Sequence, residues 1–283
     1  MAQINDVKGF IIDMDGVLWH GNHPIVGLGA FFSLLREIGL PFVLATNNAS
    51  LTQQQYIDKL AKMDVSVIAD EVLTSSMATA SYLAKQQPED KKRVFVIGEA
   101  GLRAPLEEQG FVLTDLYEVD GNGTMKGADL VVSGLDRTLT WDKLATATLN
   151  IKKGAAFYAT NADTTLPTEF GDVIGNGGTL AALEAATGVE AVSLGKPEPV
   201  LYQQALRVLD TTTAETVAIG DRLDTDILGA VNAGMRSILV LSGISSHEEL
   251  ADIDYQPTWV MKDISEITAV LRATFLGDSV ENE

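Results

Sequence analysis

The chain has 283 residues, 46% of them hydrophobic and 21% charged, a balance that supports about two globular domains. Its formal charge of −19 argues against general nucleic-acid binding and against a polybasic membrane contact, and its lack of cysteine excludes disulfides and thiolate chemistry. There is neither an apolar run of roughly 18 residues nor a signal-peptide pattern at the N-terminus, so we expect a cytoplasmic protein without a membrane span.

The first 65 residues alternate between strand and helix patterns. The apolar run 9–12 predicts a buried strand, and the helical spacing of apolar residues over 31–38 predicts a helix. A second apolar run at 41–45 predicts another strand. Ser50 and Gln53 have the spacing of a capping box, which predicts the start of a second helix.

The last hundred residues repeat this alternation, and the middle of the chain is less strongly patterned. The further predicted elements are strands at 93–97, 130–132, 192–194, 217–219 and 237–241 and a helix at 200–209. Alternating strands and helices favour a parallel sheet. Ligands bind outside the carboxyl ends of such strands, so the residues that follow each strand are the candidates for function.

Two acidic residues come after the first predicted strand. Asp13 follows the strand directly, where a carboxylate is well placed to act as a nucleophile, and Asp15 is placed to act as a general acid and base. The same Asp-x-Asp pattern occurs at 224–226 and 252–254, but only the first follows an apolar strand directly. A solvated pair of loop aspartates is the alternative, and this segment alone leaves both interpretations open.

Polar residues also follow two other strands. Thr46, Asn47 and Asn48 offer donors that could bind phosphate oxygens, although these residue types are common in ordinary turns. Lys196, between a glycine and a proline, could neutralise an anion or could be an ordinary solvated lysine. Each of these segments leaves its two interpretations open.

The strand at 217–219 leads into Gly220 and Asp221, and Asp226 opens the next predicted helix. Mg²⁺ is commonly held by one or two carboxylates together with substrate oxygens and waters. Asp13 and Asp221 are therefore candidate magnesium ligands. Asp226 could belong to the same site, or its carboxylate could cap the helix N-terminus.

Together these segments resemble the haloacid dehalogenase-like superfamily, and most closely its 4-nitrophenylphosphatase and NagD-like branch, subfamily IIA. The resemblance covers nearly the whole chain and rests on Asp13 to Leu18, Thr46 to Ser50, Gly195 to Pro199, Gly220 to Ile227 and Asn232 to Gly234. Two middle segments, Gly134 to Arg137 and Thr160 to Asp163, are similar to that branch as well. The resemblance implies an α/β fold with a Rossmann-like parallel-sheet core and a large inserted α/β cap domain.

The spacing of the motifs indicates where the cap is inserted. Asp13 and Thr46 are separated by 33 residues, too few for a cap domain, whereas Thr46 and Lys196 are separated by 150. The predicted domains are a core of residues 1–82 and 186–283 and a cap of residues 83–185. We expect specificity to lie in the cap, where the Gly-rich residues 175–178 could form a loop facing the active site or could be a connection with a helix start.

The resemblance also implies an activity and a role for each motif residue. The implied activity is that of a Mg²⁺-dependent phosphatase that hydrolyses small phosphomonoesters, such as sugar phosphates or nucleoside monophosphates, through an aspartyl-phosphate intermediate. The implied roles are Asp13 as nucleophile and Asp15 as acid and base. The implied phosphate ligands are Thr46, Asn47, Asn48 and Lys196. The implied metal ligands are Asp13, Asp221 and the backbone carbonyl of Asp15, with Asp226 supporting those ligands without binding the ion. The implied partner is a small phosphorylated metabolite, and a homodimer through the cap is possible.

Two other classes of protein share some of these residues. A two-component receiver also has an acidic pair, a threonine and a lysine, but its acceptor aspartate ends the third strand and it has no inserted cap. A member of the same fold that binds phosphorylated ligands without turnover, or that has a regulatory role, stays open as the alternative. Turnover of a phosphomonoester distinguishes a phosphatase from both of these classes.

Overall fold

The computed structural model describes residues 4–168 and 170–277, and strands alternate with helices along most of the chain. The strands are β1 (Gly9–Ile12), β2 (Trp19–His20), β3 (His23–Pro24), β4 (Phe42–Thr46), β5 (Val72–Thr74), β6 (Arg93–Ile97), β7 (Val112–Leu113), β8 (Leu130–Ser133), β9 (Ala156–Ala159), β10 (Thr165–Thr168), β11 (Gly171–Ile174), β12 (Val192–Ser193), β13 (Thr216–Gly220), β14 (Arg236–Val240) and β15 (Trp259–Met261). The helices are α1 (Leu28–Glu37), α2 (Gln53–Ala61), α3 (Ser75–Gln86), α4 (Ala100–Glu108), α5 (Trp141–Lys152), α6 (Asn176–Thr187), α7 (Val200–Leu209), α8 (Leu228–Asn232) and α9 (Ile264–Leu276).

Contacts between residues divide the chain into two compact units. Among the described residues, the first unit contains those of Met1–Thr46, Tyr56–Leu73 and Lys196–Glu283, and the second contains those of Asn47–Gln55 and Thr74–Gly195. The predicted division of the chain into a core of 1–82 and 186–283 and a cap of 83–185 has its limits inside α3 and α6. The assignment of these segments as a functional core and cap stays a prediction.

The first unit is built on a six-stranded sheet in the order β15-β14-β13-β1-β4-β5. The pairs from β15 to β4 are parallel, and every residue of β1, β4 and β13 is buried. Continuous apolar strands of this kind are expected in a parallel sheet covered on both faces. The strand order reverses at β1, because β4 and β5 continue on one side of it and β13 to β15 on the other. Ligands bind at such a switch point in open α/β sheets.

The register of the central strands sets the position of the candidate residues. Ile12 at the end of β1 lies opposite Ile219 of β13 and opposite Leu44 of β4. All three strands run in one direction, so the polar residues that follow them leave the sheet at the same edge. The register therefore places Thr46, Asp13 and Asp221 at this edge, whereas Lys196 does not follow a strand of this sheet.

The second unit has its own five-stranded parallel sheet in the order β12-β9-β8-β6-β7. Phe95, Val131 and Phe157 of this sheet pack in one apolar cluster with Ile151 of α5 and Leu183 of α6. Strands β10 and β11 form a separate antiparallel hairpin. The predicted α/β fold class with parallel sheets is confirmed.

The start of α2 differs from the sequence prediction. The helix begins at Gln53, and the reciprocal capping bonds join Thr52 and Gln55: the Thr52 N–H donates to Gln55 Oε1 at 2.8 Å, and the Gln55 N–H donates to Thr52 Oγ1 at 3.3 Å. The predicted capping box of Ser50 and Gln53 is wrong, because the chain turns two residues longer before the helix starts. Ser50 Oγ donates instead to the Asn48 side chain.

The start of α6 decides between the two interpretations of the Gly-rich segment. Helix α6 begins at Asn176, directly after Gly175, so the helix-start interpretation of 175–178 is confirmed. In the part of the chain that the structure describes, no helix has both the length and the apolar character needed to cross a membrane.

Candidate active site

The centre of the candidate site is a buried pair of opposite charges. Asp13, which directly follows β1, is 9% exposed, and Lys196 is 3% exposed. Lys196 Nζ donates to Asp13 Oδ1, to Asp226 Oδ1 at 2.6 Å and to the backbone oxygen of Ala45 at 3.0 Å. Neither Asp13 nor Lys196 is a solvated surface residue, so those alternatives are excluded.

Three carboxylates converge on this lysine. Asp13, Asp221 and Asp226 each offer an oxygen, and these oxygens lie within 4.8 Å of one another. Lys196 contacts two of these carboxylates, and the positive charge of Arg222 also acts on Asp221. Carboxylate oxygens are the ligands that hard divalent cations such as Mg²⁺ prefer. The donor set and its excess negative charge therefore fit a divalent metal ion.

The pKa values reflect the crowding of these carboxylates. Burial raises the pKa of Asp13 well above its usual range, with Lys196 opposing and the other two carboxylates adding to the rise. Burial and the neighbouring Asp226 raise the pKa of Asp221 to about 7, against the effect of a hydrogen bond from the Ile244 N–H. Burial alone would lower the pKa of Lys196, but Asp13 and Asp226 raise it well above its usual range. The raised pKa values of Asp13 and Asp221 therefore reflect carboxylates crowded together in a buried place.

Glycines on two loops form a close cradle for Asp221. A Cβ atom on Gly16 would lie 2.3 Å from Asp221 Oδ2, and one on Gly243 would lie 2.0 Å from the same oxygen. The Ile244 N–H donates to this oxygen at 2.9 Å, and Ser242 Oγ donates to the Gly16 carbonyl at 2.8 Å. Only glycine at these two positions leaves room for the Asp221 carboxylate, so the two loops hold it in place.

Replacing Gly16 by Ala is expected to disturb this cradle. Gly16 has φ +81°, so the change adds left-handed strain of about 1–2 kcal/mol and a clash with Asp221. Because a displacement of about 1 Å in an active site can reduce the rate about 100-fold, we expect the phosphatase turnover that the resemblance implies to fall by that order. Gly39→Ala is the matched control, since Gly39 has φ +68° and nothing within 4 Å of its Cβ position. Equal kcat values in the two variants would contradict the cradle.

Asp226 closes its own turn and also belongs to the charged cluster. It lies in a π-helical turn, Leu223–Ile227, where its Oδ2 accepts a hydrogen bond from the Arg222 N–H at 3.1 Å. Its other oxygen accepts from Lys196, and its backbone carbonyl accepts from the Tyr202 hydroxyl at 2.8 Å. The carboxylate therefore closes the turn and belongs to the charged cluster. Turns of this kind occur frequently at functional sites.

Asp15 and Thr46 surround a buried tyrosine of α2. Burial raises the pKa of Tyr56 well above its usual range, the charges of Asp15 and Asp13 add to the rise, and a hydrogen bond with the Thr46 side chain opposes it. Asp15 Oδ1 also accepts a hydrogen bond from Trp19 Nε1 at 2.7 Å. The structure thus places Asp15, the predicted acid and base, and Thr46, a predicted phosphate ligand, close to the side chain of Tyr56.

Asn47 belongs to the second unit and is held by other residues of that unit. Its Nδ2 lies 3.4 Å from both carboxylate oxygens of Asp163. Its backbone carbonyl accepts hydrogen bonds from Ser75 Oγ at 2.8 Å and from Asn161 Nδ2 at 2.9 Å. The 160–163 segment, in which specificity was expected, therefore contacts a predicted phosphate ligand. Phosphate binding by Asn47 itself stays a prediction.

Asn48 has a turn-forming role in the structure. Its Oδ1 accepts hydrogen bonds from the Ser50 N–H at 3.1 Å and from Ser50 Oγ at 2.7 Å. This is the ordinary function of an asparagine in a strand-to-helix turn. Its predicted contact with phosphate stays a prediction.

Several residues that organise the site are missing from the sequence-based prediction. Among them are Trp19, Tyr202, Gly243 and Ile244, to which the sequence assigned no role in the site. One signal was available for Gly243 and Ile244, because they follow the strand predicted at 237–241 as Asp221 follows its own strand. The contacts of Tyr202 and Trp19 depend on tertiary structure and left no signal of this kind.

Comparison with known proteins agrees with this chemistry. Residues 10–112 match a family described as haloacid dehalogenase-like hydrolase, and residues 193–267 match one described as HAD-hydrolase-like. The 5'-nucleotidase YutF of Bacillus subtilis (strain 168) is 39% identical over 259 residues, 92% of this chain and 96% of that protein. The acid sugar phosphatase of Staphylococcus aureus (strain MRSA252) is 37% identical over 264 residues, 93% of this chain and 98% of that protein. The crystal structure of 4-nitrophenylphosphatase from Thermotoga maritima has a TM-score of 0.85 and 33% identity, covering 94% of this chain and 97% of that one.

Proposed function

Because the chain belongs to the haloacid dehalogenase-like hydrolase family, we propose that it is a Mg²⁺-dependent phosphatase that hydrolyses small phosphomonoesters such as sugar phosphates or nucleoside monophosphates. The predicted resemblance to the 4-nitrophenylphosphatase and NagD-like branch is confirmed. The observation that carries the proposal is the buried cluster in which Lys196 contacts Asp13 and Asp226 beside Asp221. Relatives named as a 5'-nucleotidase, an acid sugar phosphatase and a 4-nitrophenylphosphatase support it.

The acidic cluster supplies the ligands for the metal ion. Phosphatases of this family are generally metal dependent, and the proposed ion is Mg²⁺. Asp13, Asp221 and the backbone carbonyl of Asp15 would hold it, with Asp226 behind them linking the ligands to Lys196. When bound, the ion would screen the phosphate from the carboxylates and orient it for attack.

The proposed reaction has two steps, each using the same pair of aspartates. In the first, an oxygen of Asp13 forms a bond to phosphorus as the ester oxygen leaves, and Asp15 gives that oxygen a proton. In the second, Asp15 takes a proton from a water molecule whose oxygen bonds to phosphorus, and the bond between phosphorus and Asp13 breaks. Inorganic phosphate is released and both aspartates return to their starting state. Such proton transfer typically contributes about 10²–10⁴-fold to the rate.

The phosphate ligands are part of the same proposal. Thr46, Asn47 and Asn48 would donate hydrogen bonds to the phosphoryl oxygens, and Lys196 would offset their charge. The chain carries a formal charge of −19, so this local compensation is needed to admit an anionic substrate. The predicted cap, 83–185, would select the small metabolite. A homodimer through the cap and a cytoplasmic location stay predictions.

The proposal is tested by phosphate release from a panel of phosphomonoesters. The purified chain is expected to release phosphate with Mg²⁺, to fall to background in EDTA and to recover when Mg²⁺ is restored. Metal at 100 times its Kd should also raise the free energy of unfolding by about 2.7 kcal/mol, which thermal melting measures. Asp221→Asn is expected to remove most of that stabilisation.

Two outcomes would overturn this assignment. Release that continues unchanged in EDTA would contradict the metal requirement. Stabilisation by Mg²⁺ and by phosphate esters without any release would favour the alternative, a member of the fold that binds phosphorylated ligands without turnover.

A further inference from the structure

The carboxyl group of Asp15 is tethered within its own loop. Trp19 Nε1 donates to Asp15 Oδ1 at 2.7 Å, and Trp19 is fully buried. The backbone closes the same loop, since the Gly16 N–H donates to the Trp19 carbonyl at 2.8 Å. Trp19 begins β2, the first strand of a short hairpin with β3. The indole and the carboxyl group are therefore held at a fixed distance by the short chain between them.

A lysine from α2 covers the face of the same indole. Lys59 Nζ lies 4.0 Å from the centroid of the Trp19 ring, a distance at which a cation is attracted to the face of an indole. The Lys59 side chain is half-buried. Burial lowers its pKa, and the negative charge of Asp15 opposes that effect. Lys59 thus holds the ring from α2 while Asp15 binds its edge.

We propose that Trp19 is a positioning residue for the acid and base chemistry of Asp15, and that Lys59 fixes the ring of Trp19. Since Oδ1 of Asp15 accepts the indole N–H, the proton of the neutral acid resides on Oδ2. Trp19 therefore selects the oxygen that gives the proton to the leaving group and prevents the carboxyl group from rotating. The inference rests on the proposed phosphatase activity and concerns the orientation of the Asp15 carboxyl group as its general acid.

A buried indole N–H needs an acceptor in any protein, so the bond could also be purely structural. The two roles differ in their dependence on the leaving group. The value of kcat/KM includes only the steps up to formation of the phosphoenzyme, in which Asp15 acts as the acid. 4-Nitrophenyl phosphate has a stable leaving anion that needs little protonation. Phenyl phosphate needs more, and benzyl phosphate, which expels an alkoxide, needs the most.

The test measures kcat/KM of Trp19→Phe on these three esters. We expect a loss of about 100-fold on benzyl phosphate, within the range of general acid catalysis, an intermediate loss on phenyl phosphate and little change on 4-nitrophenyl phosphate. Lys59→Met is expected to show the same order of losses at about two- to fivefold on benzyl phosphate, as for a partly exposed cation–π contact. This second variant keeps the test decisive if Trp19→Phe does not fold.

Trp259→Phe is the matched control. Trp259 lies in β15 of the six-stranded sheet, and Arg236 Cζ lies 5.8 Å from the centroid of its ring, so the same change is made to another tryptophan with a cation beside it. Its three kcat/KM values are expected to match those of the wild type. Equal losses of Trp19→Phe on all three esters, or no loss on any, would overturn the positioning role. A wild-type protein inactive on every ester would instead overturn the proposed phosphatase activity.

Discussion

Asp13→Asn is expected to reduce phosphate release by at least about 10⁴-fold, as the loss of a nucleophile does in other covalent enzymes. The amide nitrogen and oxygen of asparagine match the carboxylate in shape, but the side chain cannot form the acyl phosphate. The variant should still fold, because it removes one of three carboxylates that crowd within 4.8 Å. Phosphate release and the melting temperature are measured on the same preparation.

The control for this variant is Asp252→Asn. Asp252 is exposed and begins another Asp-x-Asp pattern that does not follow a strand of the sheet, so this variant should keep wild-type turnover. Acid quenching during turnover is expected to trap phosphate on the wild-type protein, and mass spectrometry should locate it on Asp13. Turnover of Asp13→Asn near the wild-type rate, or phosphate trapped on another residue, would refute the nucleophile.

Two residues of the site, Asp13 and Asp221, could be predicted from the sequence because they directly follow apolar strands. The run 9–12 and the run 217–219 are short, continuous and buried, and the structure pairs them in register as β1 and β13. A parallel sheet brings the carboxyl ends of such strands together, whatever lies between them in the chain. Asp13 and Asp221 are therefore neighbours although more than two hundred residues separate them.

The rest of the site could not be predicted, because it depends on contacts between residues whose separation along the chain follows no recognisable pattern. The Ile244 N–H binds Asp221, and the Trp19 indole binds Asp15, only because loops fold over the sheet edge. The capping box was misplaced for a related reason. Two pairs, Ser50 with Gln53 and Thr52 with Gln55, share the required spacing, and the length of the turn after β4 decides between them.

Lys196→Met is expected to have the largest effect on stability. The change keeps most of the side-chain length but removes the ammonium group that contacts both Asp13 and Asp226. Breaking a buried ion pair on one side usually costs about 3–5 kcal/mol, since the remaining charge is left buried and uncompensated. Here several carboxylates share the lysine, so we expect a loss of that size in the free energy of unfolding. Denaturant titration in EDTA measures it.

Lys8→Met separates this effect from the loss of a lysine in general. Lys8 forms an ion pair with Glu215 at the surface, where its side chain is 66% exposed, and such pairs contribute about 0–1 kcal/mol. Mg²⁺ should stabilise Lys196→Met more than it stabilises the wild type, because the ion then supplies the positive charge that the cluster has lost. A Lys196→Met variant as stable as Lys8→Met in EDTA would show that the buried carboxylates do not depend on the lysine. In that case the excess negative charge could not be the reason that the cluster binds a metal ion.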